Sequence, residues 1–197
     1  MEKMWKDETI TAEKAPALFA DMESYISEYE ANTPFIPGQT NITAYINLLL
    51  DKLYKRYFRP DNYVHGKPHT KLDLSDPDLI VSTWEFYRGI CLRYGGTCTV
   101  QRFCVFVGMN RETLDTWQNG EYRTTAHSNI VKMFKQQSES DLLSRAIEGN
   151  SIGSIFALKA GFGYNDNQPQ TLTVKRDDTP QLTQEEIQQR LELLEDE

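Results

Sequence analysis

The side chains able to do chemistry are few and far apart. Cys91, Cys98 and Cys104 form no CxxC pair, and an odd number of thiols within apolar segments reads as reduced and buried. His65 and His69 stand four apart, a spacing that would put both on one helix face. They lie in a glycine- and proline-bearing stretch with no cysteine or acidic ligand pattern around them, whereas zinc takes three or four protein ligands. No metal site is expected there. There is no GxxxxGK[ST] loop to cradle a nucleotide and no compact carboxylate cluster to hold magnesium ions. The expectation is a chain without catalysis and without a cofactor.

The chemistry that the spacing does support is recognition of charge. Lys52, Lys55, Arg56 and Arg59 fall at i, i+3, i+4 and i+7, a stripe able to track phosphates if the segment is one α-helix, or otherwise a solvated helix face. A second basic feature lies in residues 99–117. A helix from Thr99 to Val107 would bury Val100, Phe103 and Val107, Gly108 would take a turn position where positive φ is cheap, and Asn110 would cap a second helix. Leu114 and Trp117 would point back into the core, with the small Cys104 where the two helices cross. That pattern is the packing signature of a DNA-reading helix-turn-helix. Its outward residues would be Arg111, Thr113, Thr116 and Gln118, with Arg123 just beyond; arginine and glutamine suit base edges. Glu112 and Asp115 on the same helix repel phosphate, which leaves open a corner used only for packing or assembly.

The elements that must position these residues are helices. With 39% hydrophobic and 25% charged residues the chain can bury a core, which excludes wholesale disorder. No stretch approaches the ~18 consecutive apolar residues of a membrane span, and the first seven residues are charged where a signal peptide would be apolar. A protein that stays in the cell making it is expected. The net charge of −8 is uneven: residues 167–197 set Lys175, Arg176 and Arg190 against eight acids, −5, leaving −3 for residues 1–166.

Helical spacing predicts a first helix over Pro16–Glu30 and a second over Asn41–Arg59, ended by Pro60. These form an N-terminal helical region, 1–60. A polar, turn-rich linker or long loop follows over 61–75. Residues 76–166 form the helix-turn-helix and helical core domain, opening with a helix that Asp76 caps and Pro77 begins. Past the two-helix corner come Ile130, Met133, Phe134, Leu142, Leu143, Ala146 and Ile147, then a short helix ending at Gly161 with Ile155 and Phe156 facing inward.

Residues 154–166, Ser-Ile-Phe-Ala-Leu-Lys-Ala-Gly-Phe-Gly-Tyr-Asn-Asp, closely resemble the segment that follows the helix-turn-helix in small terminase subunits of tailed bacteriophages. The order of elements from about Asp78 to Asp166 is similar too: a helix with Trp84, Phe86 and Tyr87, the corner ending in Thr113-Leu-Asp-Thr-Trp117, a connecting helix, then this phrase. The resemblance implies a non-enzymatic subunit in the cytoplasm of an infected bacterial host. It would assemble into a ring, on the order of eight or more chains, recognise the packaging-initiation site on double-stranded viral DNA, and regulate the ATPase and nuclease of a separate large terminase subunit. The alternative is a helix-turn-helix transcription regulator or recombination accessory protein acting as a dimer on a palindromic site.

The tail departs from the basic tails that some small terminases carry. Within 167–179, residues 170–176 alternate as one short strand, which in a ring could pair with its copies and close a barrel. The acidic segment 180–197 opens with a capping box, Thr183-Gln-Glu-Glu186, and sets Ile187, Leu191 and Leu194 at helical spacing. That amphipathic helix, too short to be stable alone, suits docking on the large subunit or folding back on its own domain. The expected fold is thus mainly α, with a helix-turn-helix, a short C-terminal strand and assembly into a ring.

Overall fold

The structure is a computed structural model, and it describes residues 9–62, 69–120, 124–149 and 152–164. The chain is mainly helical, and among these residues the only β contact is a parallel bridge between Ile10 and Leu72. The expected strand at 170–176, the docking residues Ile187, Leu191 and Leu194, and His65 and Arg123 lie outside the described residues.

Helix α1, Ala15–Asn32, starts with proline in its first turn and buries Leu18, Met22, Ile26 and Tyr29, one apolar stripe at helical spacing. Helix α2, Ile42–Leu53, is capped by the Asn41 side chain, which accepts from the Ala44 N–H at 3.0 Å, and buries Tyr45, Ile46, Leu49, Leu50 and Leu53. The predicted single α-helix to Arg59 does not form. From Tyr54 to Phe58 the chain makes a π turn, closed by the Arg59 N–H donating to the Tyr54 carbonyl at 2.9 Å. The wider turn lets the consecutive Tyr57 and Phe58 both enter the core, where α geometry would separate them by about 100°.

Helix α3, Pro77–Arg93, begins as its sequence dictates: the Asp76 carboxylate accepts from the N–H groups of Asp78 and Leu79. It is the central post. Trp84, fully buried, stacks on Phe134 at 4.2 Å between centroids and meets Phe103 edge-on at 5.2 Å. The Trp84 indole donates to Gln137, and Arg88 forms a two-pronged pair with Asp141 at 3.0 and 3.3 Å. These contacts join α3 to α6, Thr125–Gly149, through an aromatic core flanked by one charge-assisted pair. Truncating Trp84 to alanine would cost ~3–5 kcal/mol.

One apolar core runs from Ile10 to Phe134 and includes both N-terminal helices. The described end of the segment expected as a linker or long loop takes part in it. Leu72 is buried, the Ile10 N–H donates to the Lys71 carbonyl, the Asp73 N–H donates to the Ile10 carbonyl, and the Lys71 N–H donates to the Phe58 carbonyl. Its polar composition concealed this because the backbone makes the ties.

The remaining helices are α4, Val100–Val107, α5, Arg111–Gln118, and α7, Ile152–Phe162. Helix α7 packs back along the second half of α6, burying Ser154 and Leu158, and its end returns beside Glu139, which accepts from the Tyr164 hydroxyl at 2.9 Å. The expectation that Ile155 and Phe156 face inward is overturned. Phe156 is 72% exposed, and Ile155 is exposed as well, because α7 packs mainly on α6 among the described residues and turns these two side chains away from it. No helix among the described residues is long and apolar enough to cross a membrane.

Candidate nucleic-acid interface

The α4–α5 corner follows from local rules at each position. The Thr99 hydroxyl caps α4 by accepting from the Arg102 N–H at 3.2 Å. Gly108 ends it at φ +75°, and the Met109 N–H reaches back to the Cys104 carbonyl at 2.8 Å. Glycine is required twice over there. A Cβ at this position would sit 2.3 Å from the His69 carbonyl oxygen and 2.4 Å from the Tyr54 ring. The same Tyr54 donates its hydroxyl to the His69 carbonyl at 3.1 Å, so the corner is seated on the π turn and the segment after residue 68.

Asn110 caps α5, its side chain accepting from the Glu112 N–H at 3.3 Å while its amide donates to the Glu112 carboxylate. Leu114 and Trp117 are each 1% exposed and anchor the helix. The Trp117 ring meets the buried His127 edge-on at 4.9 Å. His127 is itself held by the Thr124 hydroxyl at 3.0 Å and the Leu74 carbonyl at 3.2 Å. One face of α5 is fixed, and the other faces solvent.

On that outer face Arg111 extends into solvent, restrained only by a long 3.9 Å approach to Asp115. Thr113 and Thr116 are half-buried, and the Thr116 hydroxyl is spent on the Glu112 carbonyl at 2.6 Å. Gln118 is exposed and its side-chain oxygen accepts from Lys135 of α6. Arg111, Thr113, Thr116 and Gln118 are therefore on one short helix, and Arg111 and Gln118 are the exposed ones of the four. Glu112 and Asp115 outnumber the single cation of α5.

The stripe of α2 is arranged differently. Lys55 pairs with Asp51 at 2.6 Å, the Lys52 ammonium lies over the Tyr29 ring at 5.7 Å, and the Arg56 guanidinium lies over Tyr25 at 4.7 Å and Tyr57 at 5.6 Å. Arg59 stands on extended backbone past the π turn. The π turn breaks the 3.6-residue period on which a continuous stripe depends, and Lys52, Lys55 and Arg56 hold aromatic or acidic partners.

Two cations of α6 escaped the sequence reading: Lys132, exposed, and Lys135, half-exposed and bonded to Gln118 of α5, three residues apart. The signal was available as two lysines at helical spacing. What it lacked was the packing of α6 on α5, in which Gln118 receives both the Lys135 ammonium and, at its carbonyl, the Ser128 hydroxyl at 3.3 Å.

Elsewhere, the end of α6 and α7 expose Ile147, Ile152 and Phe156 at 72%, 82% and 72%. Among the described residues no three His, Cys, Asp or Glu side chains converge as a metal site. Compared with known proteins, the chain matches no family, no curated protein and no solved structure.

Proposed function

We propose that this chain is a non-enzymatic DNA-recognition and assembly factor of the small terminase type, in which α4 and α5 act as a helix-turn-helix. The observation that carries the reading is the two-sided character of α5. Leu114 and Trp117 lock one face while Arg111 and Gln118 project from the other, flanked by Lys132 and Lys135. A helix held this firmly can enter a major groove without losing its own order, and the α6 lysines supply the phosphate attraction that α5 lacks. Glu112 and Asp115 lower non-specific affinity.

Assembly is supported by the α6–α7 hairpin. Large apolar side chains left exposed on a helix pair suit an interaction site, and Ile147, Ile152 and Phe156 are proposed to meet neighbouring copies in a ring. Viral DNA, the other copies and a large terminase subunit are the proposed partners, the last through Ile187, Leu191 and Leu194.

Two measurements test this. Fluorescence anisotropy with a labelled duplex should give binding that weakens steeply with salt. Light scattering should give a particle on the order of eight or more chains, and Phe156→Asp should break it into smaller species. A chain that binds no duplex at low salt and stays single at high concentration contradicts the proposal; a stable dimer on a palindromic duplex would instead favour a transcription regulator.

A further inference from the structure

Helix α5 is anchored by two buried side chains, Leu114 and Trp117, and the larger of the two leans on a histidine. The Trp117 indole N–H has no hydrogen-bond partner among the described residues, so packing rather than hydrogen bonding orients the ring. The ring that meets it edge-on, at 4.9 Å between centroids, is His127 in the first turn of α6, itself 1% exposed.

Both nitrogens of His127 are engaged. Nε2 lies 3.2 Å from the Leu74 carbonyl oxygen, which can only accept, so Nε2 carries the ring hydrogen. Nδ1 lies 3.0 Å from the Thr124 hydroxyl and, in the neutral ring, accepts from it. Leu74 stands two residues ahead of Asp76, the cap of α3. Contacts thus run from the start of the central helix, through the imidazole, to the buried ring of α5. The other ties between α5 and α6, from Ser128 to the Gln118 carbonyl and from Lys135 to the Gln118 side chain, are exposed.

We propose that His127 is a positioning residue for DNA reading: its two hydrogen bonds fix the imidazole against Trp117, and that contact sets the angle at which α5 presents Arg111 and Gln118 to base edges. The inference rests on the helix-turn-helix reading of α4 and α5.

Leverage makes the angle matter. Trp117 and Arg111 lie at opposite ends of an eight-residue helix. At ~1.5 Å per residue that helix is about 12 Å long, so a tilt of about 5° at Trp117 moves Arg111 by about 1 Å. Base-edge contacts need placement to ~0.5 Å. Phosphate contacts from Lys132 and Lys135 tolerate such a shift, because a lysine is a point charge on a flexible stem. Loss of the His127 bonds should therefore cost sequence discrimination before it costs total affinity.

The test measures discrimination, which a purely structural role would leave alone, since partial unfolding lowers affinity for every duplex by the same factor. A duplex is selected from a random pool by the full-length chain, and its affinity is compared with that of a scrambled duplex at one salt concentration. His127→Phe keeps an aromatic ring and removes both hydrogen bonds; the ratio of the two affinities should fall about tenfold, with binding of the scrambled duplex retained. His127→Gln, whose amide can still donate to the Leu74 carbonyl, should recover part of the ratio. Thr124 is exposed, so Thr124→Val provides a second variant if His127→Phe does not fold, and it should lower the ratio by a smaller factor. In the parent chain, imidazole nitrogen NMR should find the hydrogen on Nε2 and a bare Nδ1. A parental ratio in His127→Phe, or in Thr124→Val where the first variant does not fold, would overturn the proposal, as would a hydrogen on Nδ1 with a bare Nε2. Discrimination in His127→Gln no better than in His127→Phe would overturn the part given to the Leu74 bond. A parent chain that selects no sequence removes the helix-turn-helix reading and this inference together; a selective parent with equally selective variants removes the inference alone.

Discussion

The basic stripe of α2 and the exposed face of α5 and α6 carry the same kinds of side chain and put them to different uses. On α2 and the π turn that ends it, Arg56 lies over two tyrosine rings, Lys52 over a third, and Lys55 on an aspartate one turn away. These cations fasten α2 to α1 and to itself. On the other surface Arg111 has only a long approach to Asp115, Lys132 is exposed, and Lys135 is tethered to an exposed glutamine. Counting positive charge along a helix does not separate the two cases; the partners do. A cation already lying over a ring must give up that contact to bind a phosphate, whereas a solvated one gives up only counterions and water.

The strongest way to break the comparison is to remove the corner that presents α5. Gly108→Ala must combine a left-handed backbone, itself ~1–3 kcal/mol for a non-glycine residue, with a Cβ 2.3 Å from a backbone oxygen. A loss of more than about 3 kcal/mol in chemical denaturation is expected, with DNA affinity falling in step. Arg111→Ala comes next. It should weaken duplex binding by ~1–3 kcal/mol and relax preference at one base position while leaving the denaturation midpoint unchanged. Arg56→Ala should do the reverse on a smaller scale, costing ~0.5–1 kcal/mol of stability through its lost ring contacts with little change in DNA affinity. Equal effects of Arg56→Ala and Arg111→Ala on DNA binding would erase the distinction.

What could be read in advance was what local rules control. Asp76 and Asn110 cap where aspartate and asparagine must cap, and Gly108 takes the positive φ that its neighbours could not. Leu114 and Trp117 were legible as core for the same reason. Three features were hidden because they depend on distant packing. The π turn at Tyr54–Phe58 is set by the demand to bury two adjacent aromatics, which a 3.6-residue template cannot express. Residues 70–73 read as loop, and the Ile10–Leu72 bridge that draws them in spans most of the N-terminal half. In α7 the apolar content was plain, but Phe156 is exposed because α7 packs mainly on α6 among the described residues and turns that side chain away from it. Within the candidate site, Arg111 and Gln118 were found from spacing, while Lys132 and Lys135 required knowing that α6 packs on α5.

The most direct test is a salt series on two double charge reversals, Lys132→Glu with Lys135→Glu and Lys55→Glu with Arg56→Glu, read as the slope of log affinity for duplex DNA against log salt. The account predicts that the α6 pair lowers the slope by about 2 and weakens binding across sequences, while the α2 pair leaves the slope unchanged. An unchanged slope for the α6 pair together with a fall for the α2 pair would contradict it and move the DNA surface to α2.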